Sequence, residues 1–447
     1  MVRAATEFGR ALSPSERWFW IVDRLSPANC VARVRIHGRV PVDRLEAAAA
    51  ALVAEYPLLR MGVVDDAGRD PGFVPLDVPW IPLRPVVSGD ERAWVRELDV
   101  EMRTPFDIGK GLVRIVDIAV APGSAGEFHD IVLTVSHIVA DGRSLTALLR
   151  KLVTHLGGDR GTPVFDREPV PPADELIPAA ARGFWRYVYT NTFDQVAALL
   201  LRPRRLHTAA VALPDRRTRI VHRTLDRETV ADLVSDCRRA GATVHGVLAA
   251  AVASAVGSAN SAPGGMVGIA SPVDFRARLH PAPDADELGV YAPVLVGFVP
   301  FGPGVPLWAA ARRVKRQLAA GVRQGRHLST VAGMRFGTPR AVEPGARLAR
   351  LVDRRAPWNV SVTNVGRVEF PDRVGDRRIS GLTLAASNSC VSALTVAVTT
   401  AHDEMRLAFC YVEDMLSEQQ AGEFADTVLT VLRERPSPSV AVPKQDA

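Results

Sequence analysis

The chain has 447 residues and a mass of 48.2 kDa, which suits two domains of about 200 residues each. Hydrophobic residues make up 47% and charged residues 23%, with mean hydropathy near zero, a profile that excludes a disordered tail protein and a collagen-like repeat. The formal net charge is +6, but the cations are scattered along the chain, and only four of the 55 are lysine, so a dedicated nucleic-acid binder is not expected.

In chain order, residues 31–37 alternate Val34 and Ile36 with Arg33 and Arg35, the pattern of a strand. An Ala-rich helix is predicted over 43–55, stopped by Pro57, and a short one over 94–102. Residues 112–121 read as a strand. Residues 128–136 read as another, so continuously apolar at Ile131, Val132, Leu133 and Val135 that both of its faces should be buried. After Asp141-Gly142 the period changes. Leu145, Leu148, Leu149, Leu152, Val153 and Leu156 mark an amphipathic helix, with Ser144 as its expected N-cap.

Residues 157–178 are rich in proline and charge and are read as a linker. An aromatic helical stretch follows, with Phe184, Trp185, Tyr187, Tyr189 and Phe193, ending at Arg202–Arg205. The second unit is predicted to hold strands at 218–225, 266–275, 290–301, 359–365, 391–400 and 406–411. Its helices are predicted at 228–239, from Thr243 to 256, at 307–322, and after the Ser417 to Gln420 capping box. The expected organisation is an N-terminal lobe at 1–170, a linker and helix at 171–215, a C-terminal lobe at 216–435 and a mobile tail at 436–447. The fold class expected is α/β, built as α+β two-layer sandwiches.

Cys30, Cys237, Cys390 and Cys410 are widely spaced, with neither a disulfide framework nor zinc-ligand spacing. Residues 1–20 carry Arg3, Glu7, Arg10, Glu16 and Arg17 and no apolar core of signal-peptide length. The most apolar stretch, 247–256, is well short of the ~20 residues that cross a bilayer. A cytoplasmic enzyme or binding protein, acting as a monomer, is expected. No metal site is expected.

The chemistry concentrates at Val135-Ser136-His137-Ile138-Val139-Ala140-Asp141-Gly142, where a buried strand gives way to a helix. A histidine at the exit of such a strand is fixed in place and can be neutral near pH 7. Asp141 four residues later can pin the turn through an ion pair, and Gly142 supplies backbone freedom. The plainer alternative is a satisfied core histidine followed by a helix-capping aspartate.

The pattern resembles the condensation-domain superfamily, which shares the two-lobed chloramphenicol-acetyltransferase-like fold. The resemblance covers most of the chain. Leu12-Ser13-Pro14-Ser15-Glu16-Arg17 is similar to the family's opening motif, and Glu55-Tyr56-Pro57-Leu58-Leu59-Arg60 to its next signature. Thr104-Pro105-Phe106-Asp107 resembles the segment before the active-site strand, and His137 to Gly142 the His-x-x-x-Asp-Gly motif. Ser271-Pro272-Val273-Asp274-Phe275-Arg276 resembles the later motif that supplies a buried arginine. Ser361 to Val368, with Asn364-Val365-Gly366, looks like the standalone polyketide-associated branch of phthiocerol dimycocerosyl transferase-like acyltransferases. The segment 409–414 before the last helix also fits. Ser136 stands where many members have a first histidine, which bears on local support and acceptor preference.

The resemblance implies a tunnel between the lobes and acyl transfer from a thioester to a hydroxyl or amine. His137 would take the acceptor's proton, and no acyl-enzyme is implied. Asp141 would pair with Arg276, while Gly142, Asn364, Ser387, Asn388 or Ser389 would face the oxyanion or the tunnel. The donor would arrive as an acyl thioester of a carrier protein's phosphopantetheine or of coenzyme A, with no cofactor bound. A polyketide synthase or acyl carrier protein is the partner implied, the acceptor a small-molecule or lipid alcohol, with no nucleic acid. The alternatives are an amide-forming enzyme with an amine acceptor, and a non-catalytic module that recruits a carrier. The Gly157-Gly158-Asp159 text resembles a phosphopantetheine site, but Arg160 stands where the serine would be. Arg202–Arg205 and Arg216-Arg217 could meet an acidic carrier, a solvated basic face being the plainer reading. The aromatic helix at 184–193 packs between the lobes, shields a lipid tunnel or touches a membrane.

Overall fold

The computed structural model describes residues 9–158 and 170–437 of the chain. Residues 159–169, half of the expected linker, and nearly all of the tail lie outside them, as do Arg3, Glu7 and Arg160. The first half runs β1 (Arg10–Ala11), α1 (Pro14–Leu25), β2 (Asn29–His37), α2 (Val42–Glu55), β3 (Met61–Val64), β4 (Gly72–Pro75), β5 (Leu83–Ser88), α3 (Ala93–Arg103), β6 (Val113–Val120), β7 (Phe128–Ser136) and α4 (Gly142–Gly157). The second half runs α5 (Ala173–Leu176), α6 (Phe184–Leu201), β8 (Thr218–Leu225), α7 (Arg227–Arg239), α8 (Val244–Ala259), β9 (Gly265–Pro272), β10 (Val294–Phe301), α9 (Leu307–Arg323), α10 (Arg326–Gly337) and α11 (Val342–Arg355). It ends with β11 (Val360–Arg367), β12 (Arg373–Val374), β13 (Arg377–Ala386), β14 (Leu394–Ala401), β15 (Glu404–Val412) and α12 (Glu418–Arg433).

Two six-stranded mixed sheets form the lobes, in the orders β12-β13-β2-β7-β6-β5 and β10-β9-β11-β14-β15-β8. All nine residues of β7 are buried, as its continuous apolar run predicted. Ile131, Leu133 and Val135 face Leu45, Leu52, Leu145 and Leu149 of α2 and α4. Val132 faces the other way, into a cluster shared by Trp94 and Leu98 of α3 and by Ile220, Ala397 and Cys410 of the second sheet. A side-chain period of two thus feeds one strand into a lobe core and an inter-lobe core at once. The second sheet packs its other face on α8 and α12.

One boundary is corrected. Strands β12 and β13, which the sequence assigned to the C-terminal lobe, belong to the first sheet, where β13 pairs antiparallel with β2. Hydrogen bonding decides this. The outer edge of β2 needs a partner, and β13 supplies it across more than 300 residues of chain. β13 was not expected because Gly381, with φ +74°, sits in a bulge between Ser380 and Thr383 that breaks the alternation. Helices α1, α10 and α11 were also not among the expected elements. For α1 a signal was present: Ser13 and Glu16 form a capping box.

Candidate active site

Strand β7 delivers His137. The ladder with β2 ends at the pair Ser136 and Asn29, and one further bond, from the His137 N–H to the Ala28 carbonyl at 2.9 Å, fixes the next residue. A tight turn follows, closed by the Val139 N–H on the Ser136 carbonyl at 3.1 Å. Ser136, fully buried, accepts the Ile138 N–H on its hydroxyl at 3.4 Å. Phe19 of α1 stacks on the His137 ring, with centroids 3.9 Å apart and planes 19° off parallel. The half-buried imidazole is therefore clamped between backbone and an aromatic face.

Asp141 is the N-cap of α4, accepting the N–H groups of Arg143 at 3.0 Å and Ser144 at 2.8 Å. Ser144, expected to be the cap, lies inside the helix instead. The extended φ/ψ that a cap needs is adopted one turn earlier, at Asp141. Asp141 also accepts the Tyr291 N–H at 2.9 Å and both terminal nitrogens of Arg276, at 3.2 and 3.3 Å. Arg276 is 4% exposed. It further donates to Asp274 at 2.9 Å and to the Ser144 hydroxyl at 2.7 Å, and stacks over the Tyr291 ring at 4.2 Å. A buried pair is tolerated where most of its hydrogen-bonding capacity is met in this way.

Gly142 corrects another expectation. Its φ is not in the left-handed region, so backbone freedom is not the reason for glycine here. A Cβ there would stand 3.3 Å from Cγ1 of Val365 on β11. The small residue lets the second lobe approach the start of α4. Asn364 precedes Val365 on β11. Its Oδ1 accepts the Gly366 N–H at 2.9 Å.

Burial disfavours a charged imidazole and holds His137 below its ordinary value of 6.5, although the Asp141 carboxylate pulls the other way. Nδ1 is the buried ring nitrogen, which leaves Nε2 on the open edge of the ring. For Asp141, burial favours the acid, but Arg276 and the surrounding N–H donors outweigh it and keep the carboxyl below its usual range. Other histidines differ. His245, bonded to the Ser271 hydroxyl at 2.8 Å, is pushed by burial to about 4. His129 loses by burial but gains more from Asp117 and Glu127, and is raised. Among the described residues no group of three or more His, Cys, Asp or Glu is arranged to hold a metal.

The Ser387-Asn388-Ser389 segment does not offer free donors to this site. The Ser387 hydroxyl donates to the Met102 carbonyl at 2.7 Å, the Asn388 amide to the Cys410 carbonyl at 2.6 Å, and the Ser389 hydroxyl to the Pro27 carbonyl at 2.9 Å. They tie the segment after β13 to the end of α3, to β15 and to the residues before β2, a need that sequence cannot display. Arg216 likewise leaves the set of docking residues: it is 5% exposed and doubly paired with Asp353 at 2.8 and 2.9 Å. Phe19 was not singled out, because α1 was not among the expected elements. A cavity of about 250 Å³ lies against the start of α4 and is lined by Arg143, Thr146, Arg150, Val365 and Arg367.

The family model described as the phthiocerol/phthiodiolone dimycocerosyl transferase C-terminus matches residues 214–417. Among solved structures, polyketide synthase associated protein 5 from Mycobacterium tuberculosis aligns with 16% identity and a TM-score of 0.66, over 96% of this chain and 99% of its own. The trichothecene 15-O-acetyltransferase of Fusarium sporotrichioides aligns with 13% identity and a TM-score of 0.72, over 96% of both chains. The starter condensation domain of rhizomide synthetase, in complex with C8-CoA, aligns with 16% identity and a TM-score of 0.65, over 97% of both. One curated relative, a linear gramicidin synthase from Brevibacillus parabrevis, is 27% identical over 152 residues, which are 32% of this chain. The match spans only 2% of that much longer protein. The chain has the two-lobed, chloramphenicol-acetyltransferase-like fold of the condensation-domain superfamily, with a C-terminal half similar to that of the phthiocerol/phthiodiolone dimycocerosyl transferases.

Proposed function

We propose that the protein is a standalone acyltransferase that moves an acyl group from a thioester to a hydroxyl, with His137 as general base. The observation that carries this reading is a single one. A histidine held neutral by burial is clamped by Phe19 on a loop fixed by the Asp141–Arg276 pair, with Nε2 on its open edge.

In this reading the acceptor O–H gives its proton to Nε2 as its oxygen attacks the thioester carbonyl carbon. The tetrahedral oxyanion collapses, the C–S bond breaks, and the leaving thiolate takes the proton back from His137. The products are an ester and a free thiol, and no acyl-enzyme forms. Positioning both substrates supplies the remaining acceleration, since it removes a bimolecular entropy cost. Gly142 and Asn364 are the donors offered for the oxyanion. Asp141 and Arg276 are positioning residues.

The donor would be an acyl thioester of coenzyme A or of a carrier protein's phosphopantetheine. The C8-CoA bound to the rhizomide condensation domain supports that class. A hydroxyl acceptor is favoured by likeness to an O-acetyltransferase and to the dimycocerosyl transferase C-terminus. The gramicidin synthase match favours the second reading, an amine acceptor and an amide product. Purified protein offered acyl-coenzyme A and acyl-carrier donors, with alcohols and amines in parallel, separates the two. His137→Ala should lose about 10²–10⁴-fold in turnover. Full turnover in that variant would overturn the mechanism.

A further inference from the structure

Helix α6 turns an apolar face outward. Successive residues of a helix are about 100° apart, so Trp185, Tyr189, Thr192, Phe193, Val196, Leu199 and Leu200 fall within one arc of about 120°. Trp185 is 78% exposed, Tyr189 59%, Leu199 73% and Leu200 74%. The opposite side does the packing: Thr190 is buried, and the Tyr187 ring sits on Gly333 of α10. From Trp185 to Leu200 the stripe is about 23 Å long. Phe336 of α10, also exposed, extends it through an edge contact with Phe184 at 5.2 Å. Contiguous apolar surface of this extent marks a face that is covered in use.

Charge says what covers it. At one end Arg335 lies over the Phe336 ring at 4.6 Å and donates to the Arg182 carbonyl, and the exposed Arg186 donates to the Ser329 hydroxyl at 3.1 Å and to the Gln324 carbonyl. At the other, Arg202 closes the helix in the left-handed conformation and is exposed, as is Arg204. An apolar stripe bearing Trp, Tyr, Phe and Leu, with arginines at both ends, matches the interfacial layer of a bilayer with anionic headgroups. Among the described residues no single helix is long and apolar enough to cross a membrane, so the contact would be peripheral.

We propose that α6 is a membrane-binding helix that lies in the surface of an anionic bilayer. Trp185, Tyr189, Phe193, Leu199 and Leu200 enter the headgroup–acyl boundary, and Arg202 and Arg335 meet lipid phosphates. This stands independently of the acyl-transfer reading.

The test is sedimentation of the full chain with vesicles of phosphatidylcholine alone or mixed with phosphatidylglycerol. Binding to the mixed vesicles should exceed binding to the neutral ones by about tenfold and fall with added salt. The variant W185E/L200E should lose about tenfold or more on the mixed vesicles with its thermal midpoint unchanged, because both side chains are exposed. Arg202→Glu should weaken binding to the mixed vesicles only. No binding to the mixed vesicles at low salt overturns the proposal, as does equal binding by W185E/L200E. A wild-type dimer that W185E/L200E converts to monomer would overturn it too, assigning the face to a second copy.

Discussion

Arg276, in the second lobe, holds Asp141, in the first, through two bonds of 3.2 and 3.3 Å across 135 positions of sequence. The same carboxylate caps α4 and accepts the Tyr291 N–H. One side chain therefore sets the loop that carries His137, starts a helix and joins the lobes.

Removing one partner strands the other in the interior. Arg276→Met should destabilise the fold by about 3–5 kcal/mol, the usual cost of an uncompensated buried charge. Asp141→Asn should cost less than Arg276→Met, because Asp274 remains 2.9 Å from the guanidinium. Urea unfolding of both variants and of the double variant measures the coupling. Strict additivity would show that the pair carries no such energy.

The pH profile follows from the sign at His137. Burial depresses its pKa below 6.5, so the neutral base persists to lower pH than a free histidine allows. The acid limb of kcat/KM should therefore fall below 6.5. The Asp141 charge raises the His137 pKa, so Asp141→Asn should move the limb lower still. A limb above 6.5 in the wild type would contradict the burial argument.

Stability should respond to acid through Asp141. Its folded pKa is depressed below 3.8, so its contribution is present above that value and is lost as pH falls through the folded pKa. Thermal midpoints measured down the acid range should drop more steeply in the wild type than in Asp141→Asn.

Gly142→Ala requires Val365 to yield by a few tenths of an ångström and should be tolerated. Gly142→Val should cost about 1–3 kcal/mol through overpacking and lower turnover with it. Pairing it with Val365→Ala should recover part of both, read by unfolding and by initial rates.

Phe19→Ala removes the ring stacked at 3.9 Å on His137. On the proposed mechanism turnover should fall more than KM changes, because the base would lose its orientation rather than the substrate its binding surface. Phe19→Tyr, which keeps the ring, should retain most of the rate. Equal losses in the two variants would show that stacking is not what positions His137.

Local pattern determined much of this protein. The apolar run of β7, the change to helical period after Gly142, and the Thr243 and Ser417 caps are properties of neighbouring residues, and the structure repeats them. The order of motifs was enough to point to a fold family. The α1 capping box was equally legible and passed over.

Only the tertiary structure decided the rest, because each remaining feature depends on a partner distant in sequence. Asp141 caps α4, as the plainer reading of the motif allowed, but only the structure shows the same carboxylate accepting from Arg276 and Tyr291 at once. Ser387, Asn388 and Ser389 looked like free donors until the carbonyls of Met102, Cys410 and Pro27 claimed them. β13 crosses to the first lobe because the edge of β2 has backbone groups to satisfy. The outward face of α6 is the same in kind: sequence shows a helix apolar all round, and packing alone selects which side meets the protein.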